Sequence, residues 1–217
     1  MVRINQSSLW RGEVILNDRI LVTGFKPFLG EIMNPSEVLL EHIKRDFAVA
    51  GRVDTLVLPV SFAMAFSELE KHLRNQAYQH IFLLGQAGER DTIYFERVGL
   101  NWIETQKPDE DGYTPKQGAI EPGATAALFS RAPLTAWVEE LKSQGLRAKI
   151  SLSAGGYVCN HVYYKTLRKF QNETETSVVF IHLPYLPEQA QNKPQGTPCL
   201  DLETMKKTLY PVLSKYI

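Results

Sequence analysis

The chain has 217 residues, with 24 Lys plus Arg balanced by 24 Asp plus Glu, so it carries no formal net charge. That balance gives no electrostatic footing for nucleic acid or an anionic membrane surface, and neither partner is expected. The length suits one well-buried core better than two. Two cysteines are too few for a disulfide framework and suit a reducing compartment. Residues 1–10 lack the apolar core of a signal peptide, and no apolar run approaches spanning length. A cytoplasmic location is therefore the expectation.

Residues 1–18 are polar and mixed and are read as an N-terminal extension, with 13–16 compatible with a short strand. Residues 20–24 form a β-rich run ending in Gly24, followed by a loop at 25–30. Asn34-Pro35-Ser-Glu37 supplies an N-cap, a proline at the first helical position and an acid three residues after the cap. The helix it opens places Leu39, Ile43 and Phe47 on one face. A second strand is expected at 55–60. Phe62, Phe66, Leu69, Leu73 and Ala77 then mark a helix by their spacing.

Residues 80–85 are almost continuously apolar, as in a strand buried on both faces. A loop at 86–90 and an extended segment at 92–102 follow. Residues 104–123 are rich in Pro, Gly and charge, and read as a long loop or hairpin of the kind that is often functional. A helix is expected at 133–143, stopped by Gly145. Next come a short strand from Ile150, a strand at 178–183 and a proline-rich loop. Asp201 caps a last helix, which Pro211 should kink.

Strands alternate with helices, so residues 19–217 read as a single α/β domain with a largely parallel twisted sheet and helices on both faces. Ligands gather at the carboxyl ends of such strands. The loops beginning at Gly24, Gly85, Ser153 and Leu183 should therefore converge.

The chemistry centres on Ile150-Ser-Leu-Ser-Ala-Gly-Gly-Tyr-Val-Cys159. Val162, Tyr163, Leu167 and Phe170 continue it at helical intervals, which puts Cys159 on the first turn of a helix. A thiol there feels the positive end of the backbone dipole, which favours the thiolate. Cys159 is thus a candidate nucleophile, although most free cysteines simply pack.

A nucleophile needs a base, and the base needs an orienting group. His182, near the end of an apolar strand, is either a satisfied core histidine or that base. His42, His72 and His80 read as surface residues, and His161 should point away from Cys159. Glu96 is either the orienting carboxylate or the salt-bridge partner of Arg97. Asp109, Glu110 and Asp111 read as solvated loop charges. Phe25 and Phe28 are either core aromatics or two walls of a small apolar pocket. No metal-ligand spacing is present and no cofactor is expected. Cys199 lies in a loop and is read as non-catalytic.

Four segments together resemble the pyroglutamyl peptidase I (pyrrolidone-carboxylate peptidase) family of cysteine peptidases. They are Val22-Thr-Gly-Phe-Lys-Pro-Phe28 with Asn34-Pro35, Gly85-Gln-Ala-Gly-Glu-Arg90 with Phe95-Glu-Arg-Val98, Ala154-Gly-Gly-Tyr-Val-Cys-Asn160, and Phe180-Ile-His-Leu-Pro-Tyr-Leu-Pro-Glu-Gln189. The resemblance implies a phosphorylase/hydrolase-like α/β scaffold. It also implies a cysteine exopeptidase (an omega peptidase) that cleaves after an N-terminal pyroglutamyl residue, without cofactor or metal, and a homotetramer.

Carried over by residue, the resemblance makes Cys159 the nucleophile, His182 the base and later acid, and Glu96 the orienting carboxylate. Phe25 and Phe28 would sandwich the pyroglutamyl ring, and backbone groups of Gln86 and Val158 would read the lactam. The chain departs from the family pattern at Lys26, Leu29, Glu89, Tyr94-Phe95 and Gly156. Two other readings accompany this one: a non-catalytic binder of pyroglutamyl peptides, and a phosphorolytic or amidohydrolase enzyme on a similar scaffold.

Overall fold

The computed structural model describes residues 19–217. The extension and the strand expected at 13–16 lie outside the described residues.

Six strands form the main sheet in the order β2-β1-β3-β8-β4-β7. They are β1 (Ile20–Phe25), β2 (Val53–Leu58), β3 (His80–Gln86), β4 (Ile93–Glu96), β7 (Ala148–Ser151) and β8 (Ser177–Leu183). The pairs β1–β2, β1–β3, β3–β8 and β4–β7 are parallel, while β4 pairs antiparallel with β8. The sheet is thus largely parallel, with β4 and β7 running against the other four. A second, two-stranded sheet pairs β5 (Val98–Leu100) with β6 (Ala127–Phe129).

Helices cover both faces. On one side α1 (Pro35–Asp46), α3 (Leu134–Ser143) and α6 (Leu202–Leu213) bury Leu39, Trp137 and Leu209 with Val22, Phe82, Phe95 and Ile181. On the other, α2 (Ala65–Asn75) and α4 (Val158–Lys169) bury Phe66, Val162 and Tyr163 with Leu21, Leu83 and Phe180. The two sets alternate along each strand, because successive side chains point to opposite faces. That alternation assigns faces beyond the core. His182 shares parity with Phe180, and Glu96 opposes Phe180 across the β4–β8 ladder, so both lie on the face that α4 covers.

Helix α1 starts as expected: Asn34 accepts from the Ser36 N–H at 3.0 Å, and Pro35 follows it. Asn34 also donates to the Lys26 carbonyl, and the Ser36 hydroxyl accepts from the Phe25 N–H. These bonds tie the helix start to the loop after β1. Asp201 caps α6 through the Thr204 N–H.

The boundaries differ in places. The second strand begins and ends two residues earlier than expected, because its pairing with β1 stops at Phe25–Leu58. The helix expected from Phe62 to Ala77 is α2, and those two residues flank it. The extended segment at 92–102 is two strands, since the chain leaves the main sheet at Arg97. A short helix α5 (Pro187–Ala190) interrupts the proline-rich loop. Helix α6 continues through Pro211 to Leu213; the missing N–H falls opposite the exposed Lys207, where water can take its place.

Candidate active site

A cleft of about 1080 Å³ opens at the carboxyl end of β3 and β8. All four loops expected to converge contribute to it: Phe28 after β1, residues 86–90 after β3, residues 153–157 after β7, and Tyr185 after β8. The convergence has a different cause for the third loop. Because β7 runs against β8, its end points away from the cleft, and residues 152–157 carry the chain back to the start of α4. Gly155, at φ +83°, supplies the left-handed residue of that return.

Cys159 and His182 both line the cleft. Cys159 is the second residue of α4, whose preceding residue Tyr157 gives no side-chain cap. The first N–H groups of the helix therefore have no intrahelical partner. Gly85 lets the sulfur come close: a Cβ there would stand 3.2 Å from Cys159 Sγ and 2.6 Å from the Phe180 ring.

His182 is 5% exposed and Glu96 is fully buried. The His182 Nδ1 lies 2.8 Å from Glu96 Oε1. A carboxylate only accepts, so Nδ1 carries the proton and Nε2 is left as an acceptor. The antiparallel pairing of β4 with β8 explains the contact. Tyr94 opposes His182 and Glu96 opposes Phe180, which makes Glu96 the diagonal same-face neighbour of His182. Arg97, on the opposite face, donates instead to Thr135. Arg90 lies 4.0 Å from Glu96 Oε1, with its guanidinium over the Tyr94 ring at 4.2 Å.

Burial pushes the Cys159 thiol up to about 12, and the Glu96 charge adds to the rise. Its own backbone hydrogen bond pulls the other way and is outweighed. Cys159 nevertheless keeps some accessible surface. Removal from water and a nearby carboxylate thus oppose the helix start, which favours the thiolate.

Beside Cys159 lies a small cavity of about 10 Å³, lined by Phe25, Phe28, Asn34, Val60, Gln86, Tyr157, Val158 and Cys159. The four residues expected to hold a ring thus surround one space, with room for about one water. Phe25 lies against Phe180, and Phe28 stacks on Tyr157 at 6.3 Å.

Tyr157 was missed by the sequence reading; its only signal was an aromatic two residues before Cys159. Gln189 was also missed. It is buried, donates to Gln86 Oε1, Glu31 and the Met33 carbonyl, and accepts from the Leu186 N–H. It thereby fixes the Gln86 side chain.

The other candidates fall elsewhere. His161 is buried, stands edge-on to Phe62 at 5.5 Å and does not line the cleft. His72 and His80, expected at the surface, are half-buried. His72 meets the Tyr78 hydroxyl, and His80 meets Ser177 and the Tyr216 ring. Asp109, expected to be solvated, is instead buried at 4% exposure, whereas Glu110 and Asp111 are exposed as expected; all three accept hydrogen bonds from loop residues. Cys199 is exposed. Among the described residues no three His, Cys, Asp or Glu are grouped so as to hold a metal ion, and no helix is long and apolar enough to cross a membrane.

The sequence profile of the family described as pyroglutamyl peptidase matches residues 18–213. The pyrrolidone-carboxylate peptidase of Gloeobacter violaceus is 38% identical over 195 residues, covering 90% of this chain and 95% of that protein. The one from Thermosipho africanus is 37% identical, covering 88% and 93%. Among solved structures, the pyrrolidone carboxyl peptidase of Fervidobacterium islandicum superposes with a TM-score of 0.86 at 33% identity, over 91% of this chain and 97% of that one. Pyroglutamyl peptidase I of Bacillus amyloliquefaciens gives 0.81 at 33% identity, over 88% and 92%. This chain, with a half-buried cysteine lining the same cleft as the histidine of a buried histidine–carboxylate pair, belongs to the pyroglutamyl peptidase family.

Proposed function

We propose that this protein hydrolyses the amide bond that follows an N-terminal pyroglutamyl residue. Cys159 is the nucleophile, His182 the base and then acid, and Glu96 the carboxylate that orients His182. The observation that carries this reading is the 2.8 Å His182–Glu96 pair opening onto the same cleft as Cys159.

His182 Nε2 takes the thiol proton as Sγ bonds to the acyl carbon. The N–H groups at the start of α4, including that of Cys159, would stabilise the developing oxyanion. Collapse breaks the C–N bond, and Nε2–H gives its proton to the departing amine. The shortened peptide leaves and a thioester remains. Water then attacks it while Nε2 takes the water's proton, and sulfur departs and is reprotonated. Free pyroglutamate is the second product. Glu96 holds the imidazole in the tautomer this requires and stabilises the imidazolium.

The apolar slot beside Cys159 accounts for the choice of substrate. A lactam ring brings no charge into it, whereas an ordinary N-terminal ammonium would be buried without a partner. Phe25 and Phe28 would flank the ring, and backbone groups of Gln86 and Val158 would meet the lactam.

The test is release of a fluorescent amine from a pyroglutamyl amide, with prolyl and alanyl amides as controls and reductant and chelator present. Cleavage restricted to the pyroglutamyl amide and lost in Cys159→Ala is the expected result. Turnover that survives this substitution sinks the mechanism.

The same reading includes a cytoplasmic homotetramer, supported by the family resemblance, and treats residues 1–18 as an extension outside the peptidase domain at 19–217. Light scattering of the full chain tests the assembly, and activity after removal of residues 1–18 tests the extension.

A further inference from the structure

The turn at residues 108–113 reaches three of the loops that wall the slot, those after β1 and β2 and the one before α4. Asp109 is buried; its Oδ1 accepts from the N–H groups of Asp111 and Tyr113 at 3.0 and 2.9 Å. Those two bonds are local and shape the turn. Its Oδ2 accepts from the N–H of Phe62, 47 residues away in sequence, at 2.9 Å. The neighbouring residues reinforce this. Glu110 accepts from the Leu29 N–H at 2.8 Å and donates its own N–H to the Val60 carbonyl at 3.0 Å. Asp111 accepts from the Ser61 hydroxyl at 2.6 Å.

Two aromatic contacts carry this hold to the slot itself. Phe62 meets Tyr157 edge-on at 5.4 Å, and Tyr157 stacks on Phe28 at 6.3 Å. The Tyr157 hydroxyl also donates to the Pro108 carbonyl at 2.8 Å, closing the circuit back to the turn. Leu29, next to Phe28, sits at φ +53°, a conformation that residues with a side chain rarely adopt. Its anchor is Glu110.

We infer that Asp109 is a positioning residue for the pyroglutamyl slot: by holding Phe62 against the turn it sets where the Tyr157–Phe28 wall stands. The inference rests on the function proposed above. At about 10 Å³ the slot is narrow, so the position of that wall decides how a ring fits it. The turn fixes where that wall stands. Asparagine in place of Asp109 has one acceptor oxygen and an amide donor, so it cannot accept both the turn's N–H groups and that of Phe62.

The experiment measures kcat and KM on a pyroglutamyl amide for the parent, Asp109→Asn and Tyr157→Phe. Alongside it runs the rate at which iodoacetamide, which does not fill the slot, alkylates Cys159. Asp109→Asn is expected to raise KM about tenfold while kcat stays within about threefold, and Tyr157→Phe to raise KM about threefold. Alkylation rates should stay at the parent value. A purely structural role would lower the active fraction, and so kcat, at constant KM; that result overturns the inference. So does an unchanged KM in folded Asp109→Asn. Where Asp109→Asn does not fold, Tyr157→Phe decides, and an unchanged KM there is equally fatal. A parent that cleaves no pyroglutamyl amide removes the proposed function and this inference with it, an outcome visible before any variant is compared.

Discussion

The two sides of the cleft are built differently. On one side Cys159, His182 and Glu96 stand on a helix start and two paired strands, with neighbours fixed by ladder register and a close-packed core. On the other, Phe28 and Tyr157 stand on loops fixed by side chain–backbone hydrogen bonds from one acidic turn. In the proposed mechanism, regular elements hold the reacting groups because attack tolerates little error. On the same proposal, loops hold the groups that select the substrate. The comparison predicts that damage on the first side appears in kcat, and damage on the second in KM.

The largest effect should come from Glu96→Gln. An amide can donate to His182 Nδ1, placing the ring proton on Nε2, where it blocks acceptance from the thiol. A fall in kcat of about 10²–10⁴-fold with KM little changed is expected from steady-state kinetics. A loss confined to KM would break the division proposed here.

Two glycines sharpen it. In Gly85→Ala the added methyl meets the Phe180 ring at 2.6 Å and Cys159 Sγ at 3.2 Å. The nucleophile must shift, and kcat should fall about 10- to 100-fold. In Gly156→Ala the methyl meets the Glu104 backbone oxygen at 2.6 Å, pushing the long loop outward from Tyr157. There KM should rise about three- to tenfold with kcat near the parent's. Matching kinetic signatures for the two variants would erase the distinction.

Thiol titration probes the first side alone. Burial and the Glu96 charge raise Cys159 to about 12, so the thiolate appears only as pH rises. Alkylation by iodoacetamide should therefore climb continuously from pH 7 to 10. A plateau already reached by about pH 6 would reveal a preformed thiolate–imidazolium pair.

The smallest effect concerns stability. Burial lowers both His80 and His161 to about 4, against an unfolded value near 6.5. The unfolded chain then binds more protons between these values, so stability is complete above about pH 6.5 and is lost as pH falls toward 4. Allowing for residual solvent, each histidine contributes on the order of 1–2 kcal/mol. Urea midpoints measured from pH 7 to 4 should fall in the parent, and by less in His161→Phe. His161 lies against Phe62 behind the loop side, whereas His80 lies at the foot of β3. The variant's share of the loss thus weighs one side against the other.

Much of this architecture was legible in the chain's letters. Asn34-Pro35 and Asp201 announced helix starts because capping is local chemistry, and the apolar run at 80–85 announced a buried strand. The order and type of the main-sheet strands and the longer helices followed from periodicity, whereas β6 and α5 did not, and the four motifs gave the family. Cys159, His182 and Glu96 could be nominated because each residue type stood out against its immediate surroundings.

What the letters could not supply was direction and partnership. The choice between Arg97 and His182 as partner of Glu96 was settled by β4 running antiparallel to β8, and strand direction depends on pairings far apart in the chain. Asp109 looks like any loop acid until Phe62, 47 residues away, is brought to its carboxylate. The thiol's ionisation turned on a balance between a helix start, visible in sequence, and burial beside Glu96, which only the folded arrangement creates. Sequence alone determined the elements, the family and the reactive residue types, because these rest on local patterns. Tertiary structure decided which polar groups meet and how far from water they lie, because both depend on contacts between residues distant in the chain.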